Sequence, residues 1–323
     1  MTQKPENHHP LIPSFVLEQF NRSSFDGHFL GAVLVVDIKG YTAFTKKMMS
    51  SGSAGAETIS ELLNDLFGQQ VALCCAFNGF IPFFAGDSYT VIFPGDEGTL
   101  PDLHSLTVQL IETIRETRLF KEASLSIKIS AGYGAVHWHI SQTEPYFHYF
   151  FGEVFERVGT LNSKCPAGES LFEGELLSKL KHSENKVSNV LSPQKNSELS
   201  IEFDPDLVAF IPELPILATM KNEFREVISA FVAFDFQEGK VDKSIIDDCV
   251  ELCRQYQMFV KELDCGDKGL VLFGFFGAPV SHIHQKKTSI QWSLLCREFL
   301  KEKENLSGFR ISMSSGRVFS GFI

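Results

Sequence analysis

The stretch Ala32-Val33-Leu34-Val35-Val36-Asp37-Ile38-Lys39-Gly40-Tyr41-Thr42 is an apolar, β-branched run that stops abruptly at an acid and passes into a glycine turn. Such a run predicts a strand buried on both faces. Desolvating an unpaired carboxylate is costly, so Asp37 is expected at the strand's exit, facing a cation or a cleft. A second place of this kind is Phe83-Phe84-Ala85-Gly86-Asp87-Ser88-Tyr89-Thr90-Val91-Ile92-Phe93. There Gly-Asp stands between two hydrophobic runs, a hairpin signal that puts another carboxylate at a neighbouring strand end. If the two strands pair, Asp37 and Asp87 converge. Two carboxylates with backbone carbonyls beside them form a hard oxygen site suited to Mg²⁺ or Mn²⁺.

The chain has 323 residues, enough for two ordinary domains, and 44% of them are apolar, which places it among globular proteins. Its net charge of −11 argues against nucleic acid or an anionic membrane surface as the main partner. It does not exclude a polyanionic substrate, because bound metal ions supply positive charge. No apolar run reaches the length of a membrane span, and the polar stretch from Met1 to Pro10 does not read as a signal peptide. Seven cysteines without CxxC spacing, in apolar contexts such as Leu73-Cys74-Cys75-Ala76, read as reduced core thiols of a cytoplasmic protein.

Taken in order, residues 1 to 10 are expected to be loose and Pro13 to Phe20 to form a short helix. Ala43 to Met49 reads as another helix, Gly52-Ser53-Ala54-Gly55 as a break, and Glu57 to Phe77 as an amphipathic helix on the sheet. The Asp87 hairpin follows, then a helix over Leu103 to Leu119, a strand or hairpin over Ser126 to Ile140, and a strand over Tyr146 to Phe151. Gly152 to Asn162 reads as helix and Ser170 to Phe172 as a return to the sheet. Residues 183 to 199 read as a polar loop, and Leu199 to Phe203 as a last strand.

Then the pattern restarts. Val227 to Asp235 is again an apolar run ending in an acid, Ile245 to Tyr256 an amphipathic helix, and Gly266-Asp267 before Leu270-Val271-Leu272-Phe273 a second Gly-Asp hairpin. Ser289 to Leu300 repeats the second helix, and Phe309 to Val318 repeats Ile127 to Val136. The offset is 267 − 87 = 180 at the hairpin and 316 − 134 = 182 at the last strand. Two tandem α+β units follow, each with helices packed against an antiparallel-rich sheet. The boundaries expected are an N-terminal extension over 1–25, a first unit over 26–205, a connecting stretch over 206–223 and a second unit over 224–323. The second unit stops five residues past Val318, so either the chain is expected to be a fragment or its second unit is incomplete by nature.

Val36-Asp37-Ile38-Lys39-Gly40-Tyr41-Thr42 and Phe84-Ala85-Gly86-Asp87, with a helix between them, resemble the two metal-binding motifs of the class III nucleotidyl cyclases. The tandem as a whole resembles the paired cyclase domains of the soluble adenylyl cyclase family and its bacterial relatives. Gly55-Ala56-Glu57, Gly79-Phe80-Ile81, Asp267-Lys268-Gly269, Phe275-Phe276-Gly277-Ala278-Pro279 and Ser315-Gly316-Arg317-Val318 add to this likeness. The resemblance implies ferredoxin-like βαβ units that pair within the chain. It also implies an adenylate cyclase reaction on ATP, with GTP as the other candidate substrate. It implies that Asp37, Asp87 and the Ile38 carbonyl hold two Mg²⁺ or Mn²⁺ ions, and that the backbone from Ile38 to Thr42 holds the phosphates. Lys39, Gly40, Tyr41, Thr42, Gly86 and Lys261 are then the expected substrate contacts.

The departures matter as much. The family's Asn-x-x-x-Arg pair is expected beyond Ile323. The matching helix of the first unit carries Phe155, Gly159 and Thr160 at or beside those positions. Phe83 and Leu263 stand four residues before the hairpin aspartates, where the family carries a lysine or glutamate, with Lys261 and Glu262 close by in sequence. Phe83 and Gly159 also replace the basic residues of bicarbonate-responsive members, which argues against that response. The alternative reading is a catalytically degenerate cyclase-like module that regulates or binds nucleotide. His137 and His139 share a strand face and read as surface histidines or two ligands of a metal site, as do His282 and His284. Cys249 and Cys253, one turn apart, read as a core face. No GxxxxGK[ST] segment occurs.

Overall fold

The computed structural model describes residues 12–50, 52–96, 98–116, 125–180, 205–217 and 223–320. The stretch from 1 to 10, the polar stretch 183–199 and the strand expected over 199–203 lie outside these residues. The first unit is built round β1 (Asp26–Lys39), which pairs antiparallel with β3 (Ser88–Pro94) on one side and β4 (Ser126–Ile140) on the other. Beyond β3 lies β2 (Phe80–Ala85), beyond β4 lies β5 (His148–Phe151), and the short β6 (Ser170–Phe172) runs parallel to β4. The span 126–140 is thus one long strand, and its glycines make room for neighbours. A side chain at Gly134 would meet Arg157 and Val154, and one at Gly132 would meet Val158 and Glu173.

Alternation along β1 explains both faces of the sheet. Ala32, Leu34, Val36 and Ile38 are buried beneath α3 (Ser53–Ala76) and α4 (Leu103–Glu116), against Ile59, Leu62, Leu66, Leu106 and Leu110. Val33 faces the other way, into a cluster that continues through α5 (Glu153–Lys164) into the second unit, with Ala230, Val232, Leu263 and Cys265. The sheet's second face is therefore covered by the other unit. α1 (Ser14–Asn21) joins the same cluster through Val16 and Leu17. The connecting stretch forms α7 (Pro205–Phe210) and α8 (Leu214–Leu217), whose Leu207, Phe210 and Leu214 are buried there too.

The break expected at Gly52-Ser53-Ala54-Gly55 is shorter than the sequence suggested. Among the described residues Gly52, at φ 71°, turns the chain between α2 (Tyr41–Met49) and α3, and α3 starts at Ser53. Gly55 lies inside the helix, and glycine is required there because a Cβ would sit 1.9 Å from the Met48 carbonyl oxygen. It permits the close approach of two helices and is not a breaker.

The second sheet has the order β10-β7-β9-β8, with β7 (Glu223–Phe236), β8 (Phe259–Gly266), β9 (Gly269–Phe276) and β10 (Leu306–Ser320). α9 (Lys243–Gln255), capped by the Asp242 carboxylate accepting from the Ser244 amide, and α10 (Gln285–Lys301) cover it through Cys249, Cys253, Trp292 and Cys296. Cys249 and Cys253 form the core face that their spacing predicts. Short α6 (Gly174–Leu180) closes the first unit with Leu176. No helix among the described residues is long and apolar enough to cross a membrane.

The ladders correct the alignment of the repeat. In the first unit Ala85 pairs with Ser88, so Gly86 and Asp87 are the two turn residues. In the second unit Gly266 pairs with Gly269, so the turn residues are Asp267 and Lys268. Lys268, not Asp267, therefore stands where Asp87 does. Val36 pairs with Tyr89 and Ile129, whereas Phe234 pairs with Leu270 and Phe309, which places Asp235 opposite Gly308 in the position of Asp37 opposite Lys128. Matching by residue identity slipped by one residue at the turn and by two on the last strand. Hairpin closure and sheet register, not the Gly-Asp pair, set the true correspondence.

Candidate functional site

β1 carries Asp37 to the edge of the buried core and the β2–β3 turn brings Asp87 beside it. Asp37 is the cross-strand partner of Ser88, and the Ile38 amide donates to the Asp87 carbonyl at 3.1 Å. The Ile38 amide is thus used within the fold and is not free for a ligand. Burial pushes the Asp87 carboxyl above the usual carboxylate range and the Asp37 charge adds to this, while Lys128 opposes it. Tyr41, the first residue of α2, is pushed up to about 12 by its burial and by the Asp87 charge. Gly40 precedes it at φ 91°, a left-handed turn that few other residues adopt, so the chain leaves Asp37 and enters the helix at once. The first amides of α2 have no partner inside the helix and carry its positive end. Lys39 and Thr42 are exposed beside them, and Gly86 holds the facing turn at φ 67°.

Two residues enter the site that the sequence reading did not single out. The Lys128 ammonium, on β4, lies 2.9 Å from Asp37 Oδ2 and donates to the Asn162 carbonyl at 3.1 Å. Asn162, near the end of α5, points its Nδ2 at the same carboxylate oxygen at 3.4 Å and takes a hydrogen bond from Ser130 on Oδ1. The sequence offers one signal: Lys128 is the one Lys or Arg in the largely apolar and small-residue stretch from Ser126 to Ile140.

The donor set fits a hard divalent cation, since the Asp37 and Asp87 carboxylates lie at adjoining strand ends. Among the described residues no cluster of three or more His, Cys, Asp or Glu side chains surrounds a cation position. Water and ligand oxygens would therefore complete its coordination. His139 forms no metal site. It is buried, and its Nε2 lies 2.8 Å from Asp247 of α9, tying the two units together. His137 stacks on Phe151.

The second unit comes onto the first at two points. The Lys261 ammonium donates to the Phe84 carbonyl at 2.7 Å and to Glu262 at 2.9 Å, so it braces β2 three residues before Asp87. The Asp267 turn rests on α5 at Gly159, where a Cβ would meet the Asp267 amide nitrogen at 2.6 Å. Gly159 thus has a packing role in the contact between units. Asp264, not Leu263, stands where Phe83 does, two residues before the pair that closes the hairpin. Burial raises its carboxyl pKa, with Asp267 adding to the effect. In the second unit the position equivalent to the Asp37 site opens into a cleft of about 690 Å³ whose charged lining is Glu156, Asp235, Lys268 and Arg310. It holds acids and bases together and lacks the paired acids of the first unit.

No family model matches the chain. Adenylate cyclase type 10 of Oryctolagus cuniculus is 22% identical over an alignment that covers 94% of this chain and 23% of that protein. The Homo sapiens adenylate cyclase type 10 is 30% identical over 35% of this chain and 7% of its own length. The chain thus spans less than a quarter of the curated relatives it matches. The crystal structure of the adenylyl cyclase CyaB from P. aeruginosa superposes with a TM-score of 0.41 at 20% identity, over 48% of this chain and 82% of that one. In sequence the chain is thus similar to the adenylate cyclases of type 10, and its fold is similar to that of an adenylyl cyclase of known structure.

Proposed function

We propose that the chain is a tandem nucleotidyl cyclase unit of the cytoplasm that binds a metal-loaded nucleoside triphosphate at the strand ends of its first unit. Its reaction is closure of the ribose 3′-oxygen on the α-phosphorus of ATP, with loss of the hydroxyl proton and departure of pyrophosphate. The observation that supports this most is the convergence of Asp37 and Asp87 beside the left-handed turn at Gly40. Asp37, Asp87 and the Ile38 carbonyl would hold two Mg²⁺ or Mn²⁺ ions. When bound, such ions lower the pKa of the attacking hydroxyl and neutralise charge on the leaving group. The amides of Tyr41 and Thr42, at the positive end of α2, receive the β- and γ-phosphates, with Lys39 and Gly86 flanking them. Lys261 holds the hairpin that presents Asp87 and acts on the substrate through it. The test is calorimetry of ATP, and of GTP in parallel, with Mn²⁺. Asp37→Ala and Asp87→Ala are each expected to abolish metal-dependent binding without unfolding the protein, and unchanged affinity in both would refute the two-carboxylate site.

A second reading, a cyclase-like module that binds nucleotide without turning it over, has observations of its own. α5 carries Gly159 and Thr160 where the resemblance puts transition-state groups, and Lys268 replaces a metal-site acid in the second unit. Loss of one pre-placed donor costs about two to three orders of magnitude in rate. Residues 1–323 are accordingly expected to bind ATP with Mn²⁺ and to form little or no cyclic nucleotide. Rapid cAMP formation by this chain would refute the second reading.

A further inference from the structure

Among the described residues the Lys128 ammonium pairs with Asp37 of the candidate metal site, and it is held there from two sides. It lies 2.9 Å from Asp37 Oδ2, it donates to the Asn162 carbonyl at 3.1 Å, and only 13% of its side chain is exposed. Asn162 Nδ2 approaches the same carboxylate oxygen at 3.4 Å. Asp37 Oδ2 therefore has its donors already, supplied by β4 and α5. A divalent ion on this oxygen would stand next to a monovalent one, and two cations a few ångströms apart in a half-buried site repel strongly. Lysine is suited to leave, because it is a point charge on a flexible four-carbon stem. The ammonium that leaves needs an anion, and a triphosphate beside α2 is one.

We propose that Lys128 is an internal cation for Asp37 that a divalent metal ion must displace, so that metal and polyphosphate bind this site synergistically. The inference rests on the reading of Asp37 and Asp87 as a metal site. It adds that the metal alone binds weakly here, and that the weakness is a property of Lys128. In the second unit Gly308 stands opposite Asp235, so the position that matches Lys128 carries no side chain.

The experiment is a Mn²⁺ titration of the full chain, followed by the electron paramagnetic resonance signal of free Mn²⁺, with and without inorganic tripolyphosphate. Lys128→Met is expected to bind Mn²⁺ alone about tenfold or more tightly than the wild type, because a repelling charge is gone. Tripolyphosphate is expected to tighten Mn²⁺ binding by the wild type about tenfold and to have much less effect in Lys128→Met. A role confined to stability would move the melting temperature and neither of these ratios. Lys128→Arg serves as the second variant if Lys128→Met does not fold. Its rigid fork is expected to grip Asp37 and to leave Mn²⁺ binding no tighter than in the wild type. Tighter binding by Lys128→Arg would overturn the proposal. Equal Mn²⁺ affinities of the wild type and Lys128→Met, with binding lost in Asp37→Asn, would overturn the role of Lys128 and leave the metal site standing. Undiminished Mn²⁺ binding by Asp37→Asn would overturn both.

Discussion

At the scale of single residues, the positions that matter are those where a polar group has been taken from water. Burial raises the Asp87 pKa, so the folded chain holds this proton more tightly than the unfolded chain and stability falls as pH rises through the folded pKa. The divalent ion proposed for this site would reverse the cost, so its addition is expected to stabilise the chain. His148 shows the opposite case. It lies against Phe150 and Phe210, and burial lowers its pKa from 6.5 to about 4. The unfolded chain then binds a proton between about pH 6.5 and 4 that the folded chain does not, so stability falls as pH drops through that window. Roughly 2–3 kcal/mol of stability is expected to be lost by pH 4 through this residue. His148→Phe should flatten the dependence, as urea melts at a series of pH values would reveal, and an unchanged slope would refute the assignment.

At the scale of elements, α3, α4 and β3 are joined by one buried polar chain. Tyr89 donates from its hydroxyl to Gln70 Oε1 at 3.0 Å, and Gln70 Nε2 donates to Thr113 Oγ1 at 2.9 Å. Gln70 is fully buried, so its amide has no other partner within reach of water. The chain sets the helices' depth over β3, the strand that follows Asp87. Gln70→Ala leaves the Tyr89 hydroxyl with only the weakly bonding Cys74 thiol and opens a cavity, and is expected to cost about 2–4 kcal/mol in chemical denaturation. Gln70→Glu would be worse still, since it buries a charge. A loss below about 0.5 kcal/mol for Gln70→Ala would mean that packing alone positions these helices. The helix period of α3 was readable in the sequence. Its start at Ser53 was not, because Gly55 looks like a breaker until α2 is seen lying against it.

At the scale of the whole molecule, two units share one hydrophobic cluster and are pinned by polar contacts at its rim. Besides His139–Asp247, Lys243 pairs with Asp26, and the Cys265 thiol lies near the Gly152 carbonyl at 3.9 Å. Gly159 is a close point of the contact, where a Cβ would meet the Asp267 amide nitrogen at 2.6 Å. Gly159→Val would drive a side chain into the Asp267 backbone and is expected to part the β8–β9 turn from α5. The expected result is a lower melting temperature and faster amide exchange in both β8 and α5. Exchange unchanged in β8 would show that the turn is held elsewhere. Since Lys261 reaches β2 from the same hairpin, metal affinity at Asp87 should fall in this variant as well.

The sequence by itself determined the class of fold, the two-unit repeat and the two aspartates. These are local matters: an apolar run ending in an acid specifies a buried strand and its exit, and a short turn specifies a hairpin. It also contained the core face of α9, through Cys249 and Cys253 at one helical turn. Only the tertiary structure decided which residues of the two units correspond. Lys268 takes the place of Asp87 because a hairpin is closed by the ladder across it, and a shift of one residue leaves almost no trace in composition. Only the tertiary structure, likewise, brought Lys128 and Asn162 to Asp37. They lie 91 and 125 residues further along the chain (128 − 37 and 162 − 37), and no local pattern encodes a contact that strand pairing and helix packing must both create.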